Sequence, residues 1–173
     1  MIRHVTEMMC HQFPGILTAM SRWLTEDEQR AWRGLLQMTA QLNARLNRQL
    51  QNDYGMSLAD YEVLVVLSEA PAGRRRVFEL ADALAWEQSR VSHHLARMQR
   101  RGLIAREECA ADARGAFVVL TEAGRAAIER AAPAHVETVR ELVFDGLTPD
   151  QLAALTAVTS RVLERLQPPQ PES

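Results

Sequence analysis

Lysine is absent from this chain: all 20 basic residues are arginine. Every cationic contact it makes to a partner therefore comes from a planar guanidinium fork rather than a point-like ammonium. Cysteine is nearly absent as well. The two present, Cys10 and Cys109, stand far apart and match neither a disulfide framework nor a metal-ligand spacing. No apolar run approaches the ~20 residues that a bilayer span needs. The opening MIRHVTEMMCHQF lacks the long apolar core of a secretory signal. These absences point to a reducing cytoplasm and away from membranes. The signatures of catalysis are missing too: there is no nucleophile elbow, glycine-rich phosphate loop, HExxH or paired-cysteine motif. No catalytic residue, metal site or cofactor is expected.

What is present suits one domain, or one binding unit with appended helices, since 173 residues with 47% hydrophobic content can close a core. The formal net charge of −2 argues at first against a nucleic-acid partner, but its distribution does not. Between positions 74 and 125 there are ten Arg against seven Asp and Glu, a local balance of +3 that leaves −5 for the rest. Basic charge is gathered in one region.

That region contains the most informative stretch, LAWEQSRVSHHLARMQRRGLIAREECAADARGAFVVLTEAG at 84–124. It reads as an amphipathic helix, a glycine stop at Gly102, a strand, a loop tipped with charge, a β-branched return strand and a new helix. At ~100° per residue, Val91, Leu95 and Met98 share one stripe with His94 at its margin. Ser89, His93, Ala96 and Arg100 fall on the opposite side, flanked by Ser92 and by Arg90 and Arg97. Small hydrogen-bonding residues at the start of such a face suit base edges in a major groove, and arginines suit phosphates or guanine. The order of elements is that of a recognition helix followed by a β-wing. The expected fold class is mainly α with a small β-wing.

Residues 1–24 form a leader of mixed character. Helical apolar spacing (Trp32, Leu35, Leu36, Met38, Leu42, Leu46, Leu50) predicts a long helix from 26 to about 51. Ser57 and Asp60 form a capping-box signal for a buried helix over 58–69. Arg74, Arg75 and Arg76 suit either a short strand against the wing or a solvated turn near phosphates, and 78–84 forms the first helix of the helix-turn-helix. A helical region from 121 to about 145 is expected to break or bend at Pro133. Thr148-Pro149 caps a last helix over 149–166, followed by a disordered tail at 167–173. The domains are therefore 25–56 and 121–166 for terminal helices and 57–120 for the winged unit. The terminal helices carry more apolar surface than one copy can cover, which implies a dimer and a two-fold symmetric operator.

From about Trp32 to Leu166 the chain resembles the MarR family of winged-helix transcription regulators. The resemblance rests on Asp112-Ala113-Arg114-Gly115, Leu120-Thr121-Glu122-Ala123-Gly124, the LADYEVLVVL at 58–67 and the helix-turn-helix at 78–102. It implies a homodimer that represses by binding a pseudo-palindromic double-stranded operator. Gln88, Ser89, Arg90, Ser92, His93 and Arg97 would face the major groove. Arg114 would enter the minor groove on a wing oriented by Asp112 and turned at Gly115. It also implies release by a small aromatic or anionic effector, for which Trp32, Arg33, Tyr61, Glu62 and Arg106 are the candidate contacts. Urate-responsive relatives pair a tryptophan with an acid and two arginines; here His94 takes one arginine's place, which argues against urate itself.

Two alternatives have less support. An effector-independent architectural binder would rely on phosphate contacts, whereas Ser89, Ser92 and His93 suit base readout. A redox switch needs a low-pKa thiol, yet Cys109 follows Glu107-Glu108 and Cys10 has no clear resolving partner. Adjacent His93 and His94 diverge on a helix and cannot clasp one metal ion.

Overall fold

The computed structural model describes residues 23–108 and 116–167. Two compact units meet in sequence between Gln41 and Leu42. The first contains the start of α1 (Glu26–Tyr54). Thr25 caps it: the Glu28 N–H donates to Thr25 Oγ1 at 3.3 Å, and the Thr25 N–H donates to Glu28 Oε2 at 2.8 Å. Glu26, Asp27 and Glu28 place negative charge at the positive end of the helix dipole. Within this unit Trp32, Leu35, Leu36 and Met38 are all exposed.

The second unit begins with the rest of α1, whose Leu46 and Leu50 are buried. α1 runs three residues past the expected Gln51 and ends at Gly55, which sits at φ +64°. α2 (Leu58–Ser68) follows, and its capping box forms as anticipated: Asp60 N–H donates to Ser57 Oγ and Ser57 N–H to Asp60 Oδ2. A 3₁₀ turn at Pro71–Gly73 leads into β1 (Arg74–Arg76), α3 (Val77–Leu84), α4 (Gln88–Arg100), β2 (Ile104–Glu108) and β3 (Ala116–Leu120). The three strands form one antiparallel sheet in the order β1-β3-β2. Arg75 pairs with Val118, and Arg106 pairs with Val118 from the other side, so the arginine run does add a strand to the wing.

Leu50, Leu64, Leu67, Leu80, Leu95, Met98, Ile104 and Val118 make the core beneath these elements. Burying each such side chain contributes about 1.5–3 kcal/mol. Gly124 lets α5 (Glu122–Val139) press against the α4–β2 turn, because a methyl there would run into the Leu103 carbonyl oxygen.

Of the break or bend expected at Pro133, the break does not occur; α5 continues through it. Proline removes one N–H, and the buried Ala127, Ile128 and Ala131 hold the helix on the core in spite of that loss. The irregularity lies further on, in a wide π turn at Arg140–Phe144, where the Asp145 N–H reaches back to the Arg140 carbonyl at 2.9 Å. α6 (Pro149–Leu166) has the bounds read from the sequence, with Thr148 and Gln151 closing a capping box. None of its residues is buried, and Leu166 is 73% exposed. Among the described residues no helix is long and apolar enough to cross a membrane. Most of the leader and all but the first residue of the tail lie outside the described residues.

Candidate nucleic-acid interface

The turn between α3 and α4 is Ala85-Trp86-Glu87. Ala85 closes α3 in the left-handed conformation (φ 51°, ψ 41°), unusual for a residue with a Cβ. Trp86 N–H then donates to the Ala81 carbonyl at 3.0 Å and Ala85 N–H to the Asp82 carbonyl at 3.1 Å, which satisfies the helix end. Gly102 (φ +74°) does the same for α4: its N–H meets the Gln99 carbonyl, and the Leu103 N–H meets that of Met98. Two tight stops therefore aim α4 and send the chain directly into the wing.

α4 buries Val91, His94, Leu95 and Met98 and leaves Gln88, Ser89, Arg90, Ser92, His93 and Arg97 exposed. The expected face is therefore free to meet a groove. Beside it lies a concavity of about 390 Å³ lined by Ala59, Ala96, His93, Arg90, Arg97 and Arg100, among others. Three guanidiniums around small residues give a basic hollow that fits a phosphate. Arg74 has a different role: it sits 4.0 Å over the Phe117 ring and 3.6 Å from Glu107, bracing the sheet. Asp112, Arg114 and Gly115, the wing tip, lie outside the described residues.

What holds α4 is a buried polar cluster centred on Asp60. One carboxylate oxygen accepts from Arg101 Nη1 at 2.6 Å and from the Ser57 N–H at 2.9 Å. The other lies 3.0 Å from His94 Nε2. Arg97 Nη2 donates to His94 Nδ1 at 2.8 Å; because arginine only donates, the ring proton belongs on Nε2, facing Asp60. Burial opposes ionisation of Asp60, but the contacts from His94, Ser57 and Arg101 outweigh it and hold the carboxyl far below the usual carboxylate range. Trp86 continues the cluster: its ring meets His94 edge-on at 5.4 Å and carries the Arg90 guanidinium 4.2 Å above it.

A second cavity, of about 470 Å³, is lined by residues of α1, α2, α3 and α5 together with Trp86 of the turn. Tyr61 and Glu62 line it, as do Asn43, Trp86 and His135. The other three candidate effector contacts are placed elsewhere. Arg106 is exposed on β2 with Nη2 3.3 Å from the Ser92 carbonyl. Trp32 and Arg33 belong to the first unit, where Arg33 donates to Gln29. His135 and Trp86 were not among the candidate effector contacts. Trp86, Arg90 and His94 are nonetheless spaced by four, the signal of one shared helical flank. The Asp60–Arg101 contact joins residues 41 apart and leaves no such trace.

A capped helix pair joined by a three-residue turn, with a three-stranded sheet behind it, defines a winged helix-turn-helix DNA-binding protein. Residues 54–115 match the model of the MarR family. The chain is 43% identical to Sco3205, a MarR family transcriptional regulator from Streptomyces coelicolor solved in complex with DNA. That match has a TM-score of 0.82 and covers 87% of this chain and 94% of that one. Similarity extends to a mutant MarR from E. coli complexed with operator DNA (25% identity, TM-score 0.71, 82% and 99% covered). It extends also to BpsR from Bordetella bronchiseptica, whose DNA binding is regulated by 6-hydroxynicotinic acid (26%, 0.67, 77% and 98%). The chain belongs to the MarR family of DNA-binding transcription regulators.

Proposed function

We propose that this protein is a cytoplasmic homodimeric repressor that binds a pseudo-palindromic operator and is released from it by a small molecule. In this reading Gln88, Ser89, Ser92 and His93 read base edges in the major groove. Arg90 and Arg97 grip phosphates or guanine. The wing, with Asp112, Arg114 and Gly115, reaches the neighbouring minor groove. The observation that carries the reading is the division of α4: Val91, His94, Leu95 and Met98 are anchored in the core while Gln88, Ser89, Arg90, Ser92, His93 and Arg97 stand on the free face. Relatives solved on DNA support it.

Dimerisation follows from the uncovered apolar surface. α6 is an 18-residue helix that buries nothing, and Leu152, Val158, Val162, Leu163 and Leu166 stand exposed along it. In the other unit Trp32 is 51% exposed beside Leu35 and Leu36. A second copy covers such surfaces and supplies the two-fold symmetry that an operator with half-sites one helical turn apart requires. The effector is assigned to the Trp86 cavity, and control of DNA binding by a small molecule has a precedent in BpsR.

The test is fluorescence anisotropy with the DNA upstream of the protein's own gene against scrambled DNA at ~150 mM salt. A preference of about 10³ or more establishes specific regulation. Equal affinity for both would refute base readout.

A further inference from the structure

Accepting the effector-release reading, the chemistry of the Trp86 cavity narrows the class of molecule it takes. We propose that the effector is a flat aromatic carrying a cationic or hydrogen-bond-donating nitrogen, and not a carboxylate.

The charges of the wall come first. Glu62 is the acid that lines the cavity, and among the described residues no arginine lines it. The arginine whose charge bears most on Glu62 is Arg90, and its guanidinium is held on the face of Trp86. A carboxylate entering here would meet Glu62 with no guanidinium in the wall to receive it. Burial pushes the Glu62 carboxyl up, with the Arg90 charge opposing that rise, so a cation brought against it replaces lost solvation.

His135 adds no cation to that wall. His135 Nδ1 is buried without a partner, and its ring stacks on Tyr61 with centroids 4.2 Å apart. Burial depresses its basicity, so the imidazole stands neutral. The rings of Tyr61 and Trp86 complete the walls and suit an aromatic ligand. Trp86 also touches Arg90 and His94 of the recognition helix, so a molecule stacked on it acts directly on the side chains that present the DNA-reading face.

Three probes of one shape test this on the full-length protein: 1-naphthylmethylamine, 1-naphthylmethanol and 1-naphthoate, titrated by calorimetry at pH 7 and then added to the operator complex. The amine is expected to bind about tenfold or more tighter than the carboxylate, the worth of one partly screened charge contact. Glu62→Gln should bring the amine down to the affinity of the alcohol while leaving the alcohol unchanged, which shows the fold intact. A carboxylate that binds tighter than the amine overturns the proposed class and leaves the cavity as the effector site. Selectivity that survives Glu62→Gln overturns the role given to that residue. No binding by any of the three overturns the cavity as an effector site altogether. An amine that binds without freeing the operator upholds the ligand class and refutes release.

Discussion

Replacing Asp60 with asparagine is the sharpest perturbation of the helix-turn-helix. Asp60 and His94 are 5% and 7% exposed, whereas Arg101 is 44% exposed. Asparagine preserves the shape but turns one acceptor oxygen into a donor that must face Arg101, the Ser57 N–H or His94. Arg101 can turn to water, so its pair is partly screened and contributes modestly. The cap bond from Ser57 and the buried His94 contact carry most of the loss, about 2–3 kcal/mol together. The sign of the pH effect is set by the direction of the Asp60 shift. Its carboxyl is more acidic in the folded chain than in the unfolded one, at about 3.9. Its stabilisation is therefore complete above that value and fades as pH falls toward the folded one. The gap between wild type and Asp60→Asn should narrow below about pH 4, losing roughly 1.3 kcal/mol by pH 3. Urea unfolding followed by circular dichroism, at one protomer concentration across pH 7 to 3, measures both quantities. A gap under about 0.5 kcal/mol at pH 7, or one that does not change with pH, would refute the cluster as the anchor of α4.

Three further outcomes follow from the same geometry. Gly124→Ala forces backbone apart at the Leu103 carbonyl and should cost about 2 kcal/mol, lowering the melting temperature by roughly 4–8 °C; an unchanged melt means that α5 is not pressed against the α4–β2 turn. Ala85→Gly relieves a left-handed alanine, and after the entropy of a freer unfolded chain the net gain should be about 0.5 kcal/mol in chemical denaturation; a loss would show the methyl doing something the strain hides. Leu163→Glu places a charge on the bare face of α6 and should shift sedimentation velocity toward monomer while leaving helix content unchanged; a dimer at the same concentration would exclude that face from the interface.

Much of the fold was legible in the sequence because its signals are local. A capping box spans four residues, a glycine stop needs one, and an apolar stripe repeats every three or four. Ser57-Asp60, Thr148-Pro149, Gly102 and the stripe Val91-Leu95-Met98 all appear where those rules place them. The end of α3 at Leu84 was read from the sequence, but the left-handed Ala85 that closes it was not legible, because an alanine at positive φ violates the local preference and is held there by its neighbours. At Pro133, where a break or a bend was expected, the helix is not broken: local propensity is worth a few kcal/mol at most, and the packing of Ile128 and Ala131 on the core overrides it.

The site divides along the same line. Exposure of Ser89, Ser92, His93 and Arg97 follows from helical periodicity, so the sequence by itself determined which face of α4 is free. Which groups hold that face steady, and which gather around a ligand, was decided by tertiary structure. Asp60 and Arg101 meet across 41 residues, and His135 of α5 meets Tyr61 of α2 and shares a cavity with Trp86 of the turn. No periodicity links such positions. Their meeting depends on how whole helices pack, and packing is set by the combined shape of the core side chains rather than by any short run of residues.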